Sequence, residues 1–328
     1  MHFDNSFGEH MMLTFDGNRM VATAPYGSID DLLHHGYVVV YDFDGSDWKQ
    51  TGSTLMGVEE GDHFGRGLSM SRDGSTIAVG SPNSKQNTGH VSIFRWYQSN
   101  WRHIGQQLSA EGPCYFGQSV ALSENGSRLV VGAPRAEIRI TVPLAVSGNT
   151  TTVVVPGDGS GHIRVYDYDE TVNNWQLVGK PIVAHEDFGK DVKISNDGKT
   201  VAVGAAETIQ VFSEPTGGNN GEWREKGLVD HGYLDFDLSR NGNRLAFGGV
   251  CGHFGVCLVQ LYDFRGSSNE WSKVGKSLRS PIERGDDFGY SLALSDDGNQ
   301  IVVGAKDQSH MVLRTPKGYA SVFSFSRP

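Results

Sequence analysis

The chain has 328 residues, of which 28 are Lys or Arg and 38 are Asp or Glu, giving a formal net charge of −10. An acidic chain without a Lys/Arg run lacks the basic footprint of a nucleic-acid binder, and no stretch approaches the roughly 20 apolar residues that would insert into a membrane. The 43 glycines exceed the usual frequency of about 7 % nearly twofold without a Gly-X-Y period, so they report tight turns rather than collagen or a linker.

Self-similarity organises the chain from end to end. One block recurs six times, starting at Phe7-Gly8, Phe64-Gly65, Phe116-Gly117, Phe188-Gly189, Gly232-Tyr233 (degenerate) and Phe288-Gly289. It reads Phe-Gly, four or five alternating small and apolar residues, Ser, a polar pair and Gly, then an apolar run ending near Gly-Ala/Ser-Pro. The turns Asp73-Gly74, Asn125-Gly126, Asp197-Gly198, Asn241-Gly242 and Asp297-Gly298 supply the positive φ that tight hairpins need. A third apolar run follows each block. In five repeats a fourth segment opens with Trp48, Trp101, Trp175, Trp223 or Trp271, each with a glycine four residues later.

Four short period-two strands per unit, and no segment of helical period and length, predict an all-β fold: a six-bladed β-propeller of four-stranded antiparallel blades. Residues 1–328 then form a single domain, with blade starts near 7, 64, 116, 188, 232 and 288. The 72-residue spacing of the third repeat is explained by a β-hairpin insertion at about 135–160. The sixth repeat ends at Pro328 before any Trp segment. It is expected either to be a three-stranded blade or to be completed by sequence from a longer parent, and the second is preferred.

Phe-Gly followed by Gly-Ala-Pro, clearest at Phe116-Gly117 and Gly132-Ala133-Pro134 with near matches at Gly80-Ser81-Pro82 and Thr23-Ala24-Pro25, resembles the FG-GAP repeat of integrin α-chain propellers. The resemblance implies a secreted or cell-surface adhesion setting. It does not extend to that family's calcium loops, because the turns here are too short to wrap Ca²⁺ in six to eight oxygens. The nearest approach, Asp42-Phe43-Asp44-Gly45-Ser46-Asp47, reads as a solvated hairpin.

Strand order places the second-to-third-strand loops and the loops entering each first strand on one end of the ring, where function concentrates. The binding candidates on that face are Tyr26, Asp30, His34, His35, His63, Tyr115, His185, His231 and Phe254, joined by Ile140, Val142 and Val153 of the inserted hairpin. The histidines and neighbouring acids Asp31, Glu59, Glu60, Asp62, Glu186 and Asp187 come from different repeats without metal-ligand spacing, so no metal is assigned. Asp62, Asp187 and Asp287 have a ready structural role in accepting loop N–H groups. Cys251 and Cys257 are spaced to bridge across a short loop, with two free thiols as the alternative reading. Asn149 heads a glycosylation sequon at the hairpin tip, relevant to a secreted chain. Arg284-Gly285-Asp286 reads as a chance tripeptide.

No Gly-x-Ser-x-Gly, His-Glu-x-x-His, phosphate loop or Cys-x-x-Cys occurs, so neither a cofactor nor a catalytic residue is assigned. The expectation is a non-catalytic recognition module that binds a protein partner through loops on one face and is extracellular or cell-surface associated. A glycan-binding propeller is the alternative. A polysaccharide lyase or hydrolase ranks third, and would show itself as carboxylate, His and Arg side chains converging from several blades.

Overall fold

A computed structural model describes residues 6–28, 33–135, 138–143, 150–155, 160–206, 208–215, 221–230, 233–251, 257–280, 286–307 and 318–325. The fold is a six-bladed β-propeller. The first sheet pairs Met11–Leu13, Arg19–Ala24, Tyr37–Phe43 and Trp48–Gln50 in that order, with Leu55–Met56 added to the third strand. The same plan recurs with first strands at Gly67–Met70, Ser119–Leu122 and Asp235–Leu238, and without the added strand, among the described residues, in the sheet that starts at Asp191–Ile194. The last sheet has three strands among the described residues, Asp286–Leu294, Gln300–Asp307 and Tyr319–Ser324. The third repeat carries a separate two-stranded ribbon, Ile138–Pro143 against Thr150–Val155. The helical stretch Ser84–Asn87 is four residues long, with left-handed angles at Lys85 and Gln86.

By contacts the chain divides into two compact units. The first is Met1–Val192 with Val203–Ala205 and Pro215–Trp223; the second is Lys193–Ala202, Ala206–Glu214 and Arg224–Pro328. In the first unit, one buried cluster joins Val21, Val38 and Val40 to Phe64, Ile77 and Val79, and another joins Val91 and Ile93 to Phe116, Leu129 and Val131. In the second, Ile209 and Val211 pack with Phe236 and Phe247, and Val259 and Leu261 with Phe288 and Val303. Each cluster unites strands of successive blades, so apolar burial is what ties one blade to the next.

The repeated residues have physical work to do. Every first hairpin is closed by a hydroxyl that bonds the turn side chain and accepts an N–H five residues on. Ser71 Oγ donates to Asp73 Oδ1 at 2.7 Å and accepts from Thr76 N at 2.9 Å. Thr14, Ser123, Ser195, Ser239 and Ser295 do the same. A local side-chain bond of this kind fixes the turn and removes a buried backbone donor from account.

The glycines mark where blades touch. A Cβ on Gly80 would lie 1.9 Å from Gly117 O, and one on Gly132 would lie 2.0 Å from Gly189 O. The glycine of one repeat's Gly-Ser/Ala-Pro therefore seats the Phe-Gly backbone of the next. The glycine four residues after Trp48, Trp101, Trp175 and Trp223 does a second job: it receives the following blade's indole, as Gly105 does for Trp175 and Gly179 for Trp223. Trp101, Trp175, Trp223 and Trp271 thus seal blade to blade.

Candidate functional site

The residue before Phe-Gly is left-handed in four repeats: Ser6 (φ 51°), His63 (53°), Tyr115 (56°) and Asp187 (57°). Positive φ is uncommon outside glycine and costs of order 1–3 kcal/mol, so it persists only where its surroundings enforce it. Here its carbonyl accepts the N–H three residues on, at Glu9, Arg66, Gln118 and Lys190, at 3.0 Å each time. The turn presents two side chains on either side of Phe-Gly, whose phenylalanine is buried at Phe64, Phe116 and Phe188. In the second repeat these are His63 and Arg66.

His63 is the centre of the best-connected polar cluster. Asn83, from the second-to-third-strand loop of the same repeat, places Oδ1 2.9 Å from His63 Nδ1. The Asn83 amide is oriented by its other end, since Nδ2 donates to Asn87 Oδ1 at 3.2 Å. The amide oxygen therefore faces the imidazole, Nδ1 carries the proton, and Nε2 keeps its lone pair. Tyr26 packs on the His63 ring at 4.8 Å between centroids, and His34 Nδ1 lies 3.0 Å from Tyr26 O. The His63 N–H donates to His34 O at 3.3 Å. Arg66 is ion-paired to Glu9.

Burial holds the His63 imidazole below the ordinary histidine value; the Asn83 bond opposes this, the His34 and Arg66 charges reinforce it, and Glu9 opposes it. The ring is therefore neutral at pH 7, half-buried, and within the field of a guanidinium and a carboxylate. That is the equipment of a general base beside a cationic charge stabiliser.

The Asn83 loop is itself strained. Lys85, Gln86 and Asn87 are left-handed in succession, with φ of 48°, 59° and 67°. It is pinned by Ser84 Oγ, 2.6 Å from the buried His90 Nδ1, and by the Cys114 and Tyr115 N–H groups, which both donate to Asn87 O at 2.9 and 2.8 Å. Burial pushes His90 down to about 4. Asp62, the residue before His63, is fully buried. Its Oδ2 accepts Val58 N and Glu59 N at 3.1 and 3.0 Å, while Oδ1 has no hydrogen-bond partner among the described residues.

A second group lies around the third and fourth Phe-Gly turns. Arg135 stands 5.7 Å from the Tyr115 ring centre and 3.8 Å from Asp187 Oδ1.

Of the residues singled out from the sequence, the structure brings together Tyr26, His34 and His63. His35 is 1 % exposed and cannot meet a ligand. His185 is exposed beside Phe188. In the ribbon, Ile140 is paired with Val153 and Val142 with Thr151. Asp30, His231, Phe254 and Asn149 lie outside the described residues, as do Arg284 and Gly285. Cys257 is disulfide-bonded and sits opposite Cys251 in the strand register, while Cys114 is a buried free thiol pushed up to about 11 by burial. Among the described residues, no three His, Cys, Asp or Glu side chains are grouped to hold a metal. Sequence reasoning missed Asn83, Arg66 and Glu9. Superposing the repeats would have flagged the last two, because Glu9, Arg66 and Lys190 occupy one position, two residues past the phenylalanine.

No family model and no curated protein matches the chain. Solved structures do. A Bacteroides uniformis protein provisionally named a 6-phosphogluconolactonase superposes with a TM-score of 0.57 at 11 % identity, covering 97 % of this chain and 85 % of that one. The periplasmic gluconolactonase PpgL of Pseudomonas aeruginosa gives 0.56 at 16 % identity, over 96 % and 88 %. Hydrazine synthase of Kuenenia stuttgartiensis gives 0.53 at 13 %, over 94 % and 79 %. At these identities the likeness is one of fold.

Two expectations are corrected. The resemblance to the integrin FG-GAP family does not hold, because no family model matches and two of the three similar structures reported are named as lactonases. The motif has a physical origin instead: any blade stack that seats Phe-Gly on the preceding blade's Gly needs those residues, whatever its ancestry. The non-catalytic recognition module falls with it, since the similar folds include two named as lactonases. His63, Arg66 and Glu9 lie within electrostatic reach of one another, and Arg66 is ion-paired to Glu9.

Proposed function

We propose that this chain is a hydrolase that opens cyclic esters, and that His63 is its general base. The observation that carries the reading is the Asn83–His63 bond, which leaves Nε2 unprotonated on a ring within electrostatic reach of Arg66 and Glu9. In the reaction, His63 Nε2 takes a proton from water as the water oxygen bonds to the lactone carbonyl carbon. The oxyanion that forms is stabilised by Arg66, whose charge Glu9 keeps in place. Collapse of the tetrahedral species breaks the ring C–O bond. The proton returns from His63 to the departing ring oxygen, giving the open hydroxy acid. General-base assistance of this kind contributes about 10²- to 10⁴-fold, and removing one oxyanion-stabilising donor costs about 10²- to 10³-fold.

The substrate class is taken from the names of the two lactonase-type propellers of similar fold, and sugar-acid lactones are the compounds to try. The test is a pH-stat assay of the full chain on a panel of δ- and γ-lactones of sugar acids. Acid release above the spontaneous rate on at least one member, lost in Arg66→Leu, is the expected result. A panel-wide rate equal to the spontaneous one would overturn the reading.

A further inference from the structure

The two Phe-Gly turns that follow the turn of His63 carry polar side chains that the proposed reaction leaves unused. Tyr115 and Asp187 occupy the position of His63 in their repeats, and both share its left-handed backbone, with φ of 56° and 57°. The turns are seated in succession, because Gly80 receives Gly117 and Gly132 receives Gly189 at distances that would admit no Cβ. Tyr115 is also tied to the base through one residue. Asn87 accepts the Asn83 amide with its side chain and the Tyr115 N–H with its own carbonyl, at 3.2 and 2.8 Å. The same asparagine therefore sets the His63 tautomer and the seat of Tyr115.

Arg135 belongs to the same corner. Its N–H reaches Cys114 O at 3.4 Å, its guanidinium carbon lies 5.7 Å from the Tyr115 ring centre, and its Nε stands 3.8 Å from Asp187 Oδ1. The pair with Asp187 is unlike the Arg–Asp pairs that brace the blades. Arg19–Asp42, Arg128–Asp167 and Arg244–Asp263 close at 2.6, 2.6 and 2.5 Å, with the arginine side chains only 12–16 % exposed. Arg135 and Asp187 are 68 % and 30 % exposed. At 3.8 Å the two are beyond hydrogen-bond reach, and an ion pair so open to solvent adds little to stability. What the turn geometry holds in place is a donor and an acceptor set apart beside a phenol ring.

Charge decides what fits between them. The pair sums to zero, so an anionic group is repelled by Asp187 and a cationic group by Arg135. A hydroxyl suits both, since its oxygen accepts from the guanidinium while its O–H donates to the carboxylate. Two neighbouring hydroxyls on one ring can bridge the gap, and the Tyr115 ring offers apolar surface beside them. Strained backbone at a ligand-facing position is a recurrent companion of binding, and here it is repeated at Tyr115 and Asp187.

From this we infer that Tyr115, Arg135 and Asp187 form the specificity wall of the His63 site and select an uncharged, polyhydroxylated ring. Hydroxyls of the ring bridge Arg135 and Asp187, and Tyr115 steers the guanidinium toward them. This rests on the hydrolase reading for the reaction that the wall serves. It deepens that reading by making the hydroxyls, and not the ester alone, the feature that is recognised. A plain lactone then meets the base without being held, and a lactone carrying an anionic substituent at the wall is disfavoured.

The test is a calorimetric titration of the intact chain with two ring amides that resist opening. One is the δ-lactam of gluconic acid, which keeps the hydroxyls; the other is δ-valerolactam, the same ring without them. The hydroxylated lactam is expected to bind about tenfold or more tightly, as for a hydrogen bond to a charged group. Asp187→Asn and Arg135→Leu should each remove that margin and leave δ-valerolactam binding as it was. Asparagine tolerates the left-handed φ of Asp187 and Arg135 is exposed, so both variants keep the fold, which circular dichroism verifies. On a sugar-acid lactone the same variants should raise KM about tenfold with kcat retained, whereas His63→Gln should lower kcat. Equal binding of the two lactams, no binding of the hydroxylated one, or an unchanged margin in both variants would overturn the proposal. Lactam binding that depends on Asp187 and Arg135 in a chain that opens no lactone would uphold the wall and sink the hydrolase reading. Lactones opened at equal rates with and without hydroxyls would do the reverse.

Discussion

Asn83 Oδ1 stands 2.9 Å from His63 Nδ1, while the Nδ2 of the same amide donates to Asn87 Oδ1 at 3.2 Å. One side chain is thus read from both ends. The left-handed Lys85–Asn87 turn sets the amide, and the amide sets the tautomer of a histidine from a different loop. The strain in that turn has a use in this arrangement, because a relaxed turn would leave Asn83 free to flip and offer His63 a donor instead of an acceptor.

Asn83→Ala tests this coupling. It removes the acceptor that holds Nδ1–H, so kcat for lactone opening is expected to fall about 10- to 100-fold with little change in KM. The Asn83 bond raises the His63 pKa against the effect of burial, so its loss moves the acid limb of the kcat/KM profile to lower pH. An unchanged kcat and an unmoved limb would show that Asn83 plays no part.

Blade packing makes a sharper claim on stability. A Cβ on Gly132 lands 2.0 Å from Gly189 O, and backbone cannot yield as a flexible side chain does. Gly132→Ala is expected to lower stability in urea by about 3 kcal/mol or more. Gly266, where a Cβ meets nothing within 4 Å, should accept alanine within about 0.5 kcal/mol. Similar losses at the two positions would refute the stacking role assigned to the repeated glycines.

These glycines also explain how far the sequence could be read. The Ser-x-Asp-Gly turns, the Phe-Gly pairs and the Trp-x-x-x-Gly segments recur because each performs a contact every blade must make, so their repetition disclosed the propeller. The same fact made family assignment unsafe, since a motif dictated by packing is shared without descent. The site was legible only in part. His34 and His35 are adjacent in sequence, yet one faces Tyr26 and the other is 1 % exposed. His63 meets Asn83 across 20 residues and Glu9 lies 57 residues from Arg66, separations that no local periodicity encodes.

The tryptophans should differ in a way their shared motif hides. Trp175 is 2 % exposed on Gly105, whereas Trp48 is 39 % exposed. Trp175→Ala is expected to cost about 3–5 kcal/mol. Trp48→Ala should cost well under half of that, in proportion to the smaller apolar area removed from water. Urea titrations of the two variants would contradict the packing scheme if the losses came out equal.

Acid should loosen the chain through its buried imidazoles. Burial pushes His90 and His162 down to about 4 from an ordinary 6.5. A depressed histidine pKa means the folded state resists the proton that the unfolded chain accepts. Stability is then complete above about pH 6.5 and declines as pH falls toward 4. At roughly 1.4 kcal/mol per pKa unit, each histidine accounts for about 3 kcal/mol over that window. His162→Gln should flatten the dependence of the urea midpoint between pH 7 and 4.5, and an unchanged slope would count against the burial argument.

The most direct measurement is the rate of sugar-acid lactone opening at pH 7.5 by the intact chain and by His63→Gln, with folding of both verified by circular dichroism. If His63 is the base, the parent chain accelerates acid release above the spontaneous rate and the variant loses about 10²-fold or more of that acceleration. Equal rates for the two proteins, or no acceleration by either, would contradict the assignment of this propeller as a hydrolase working at His63.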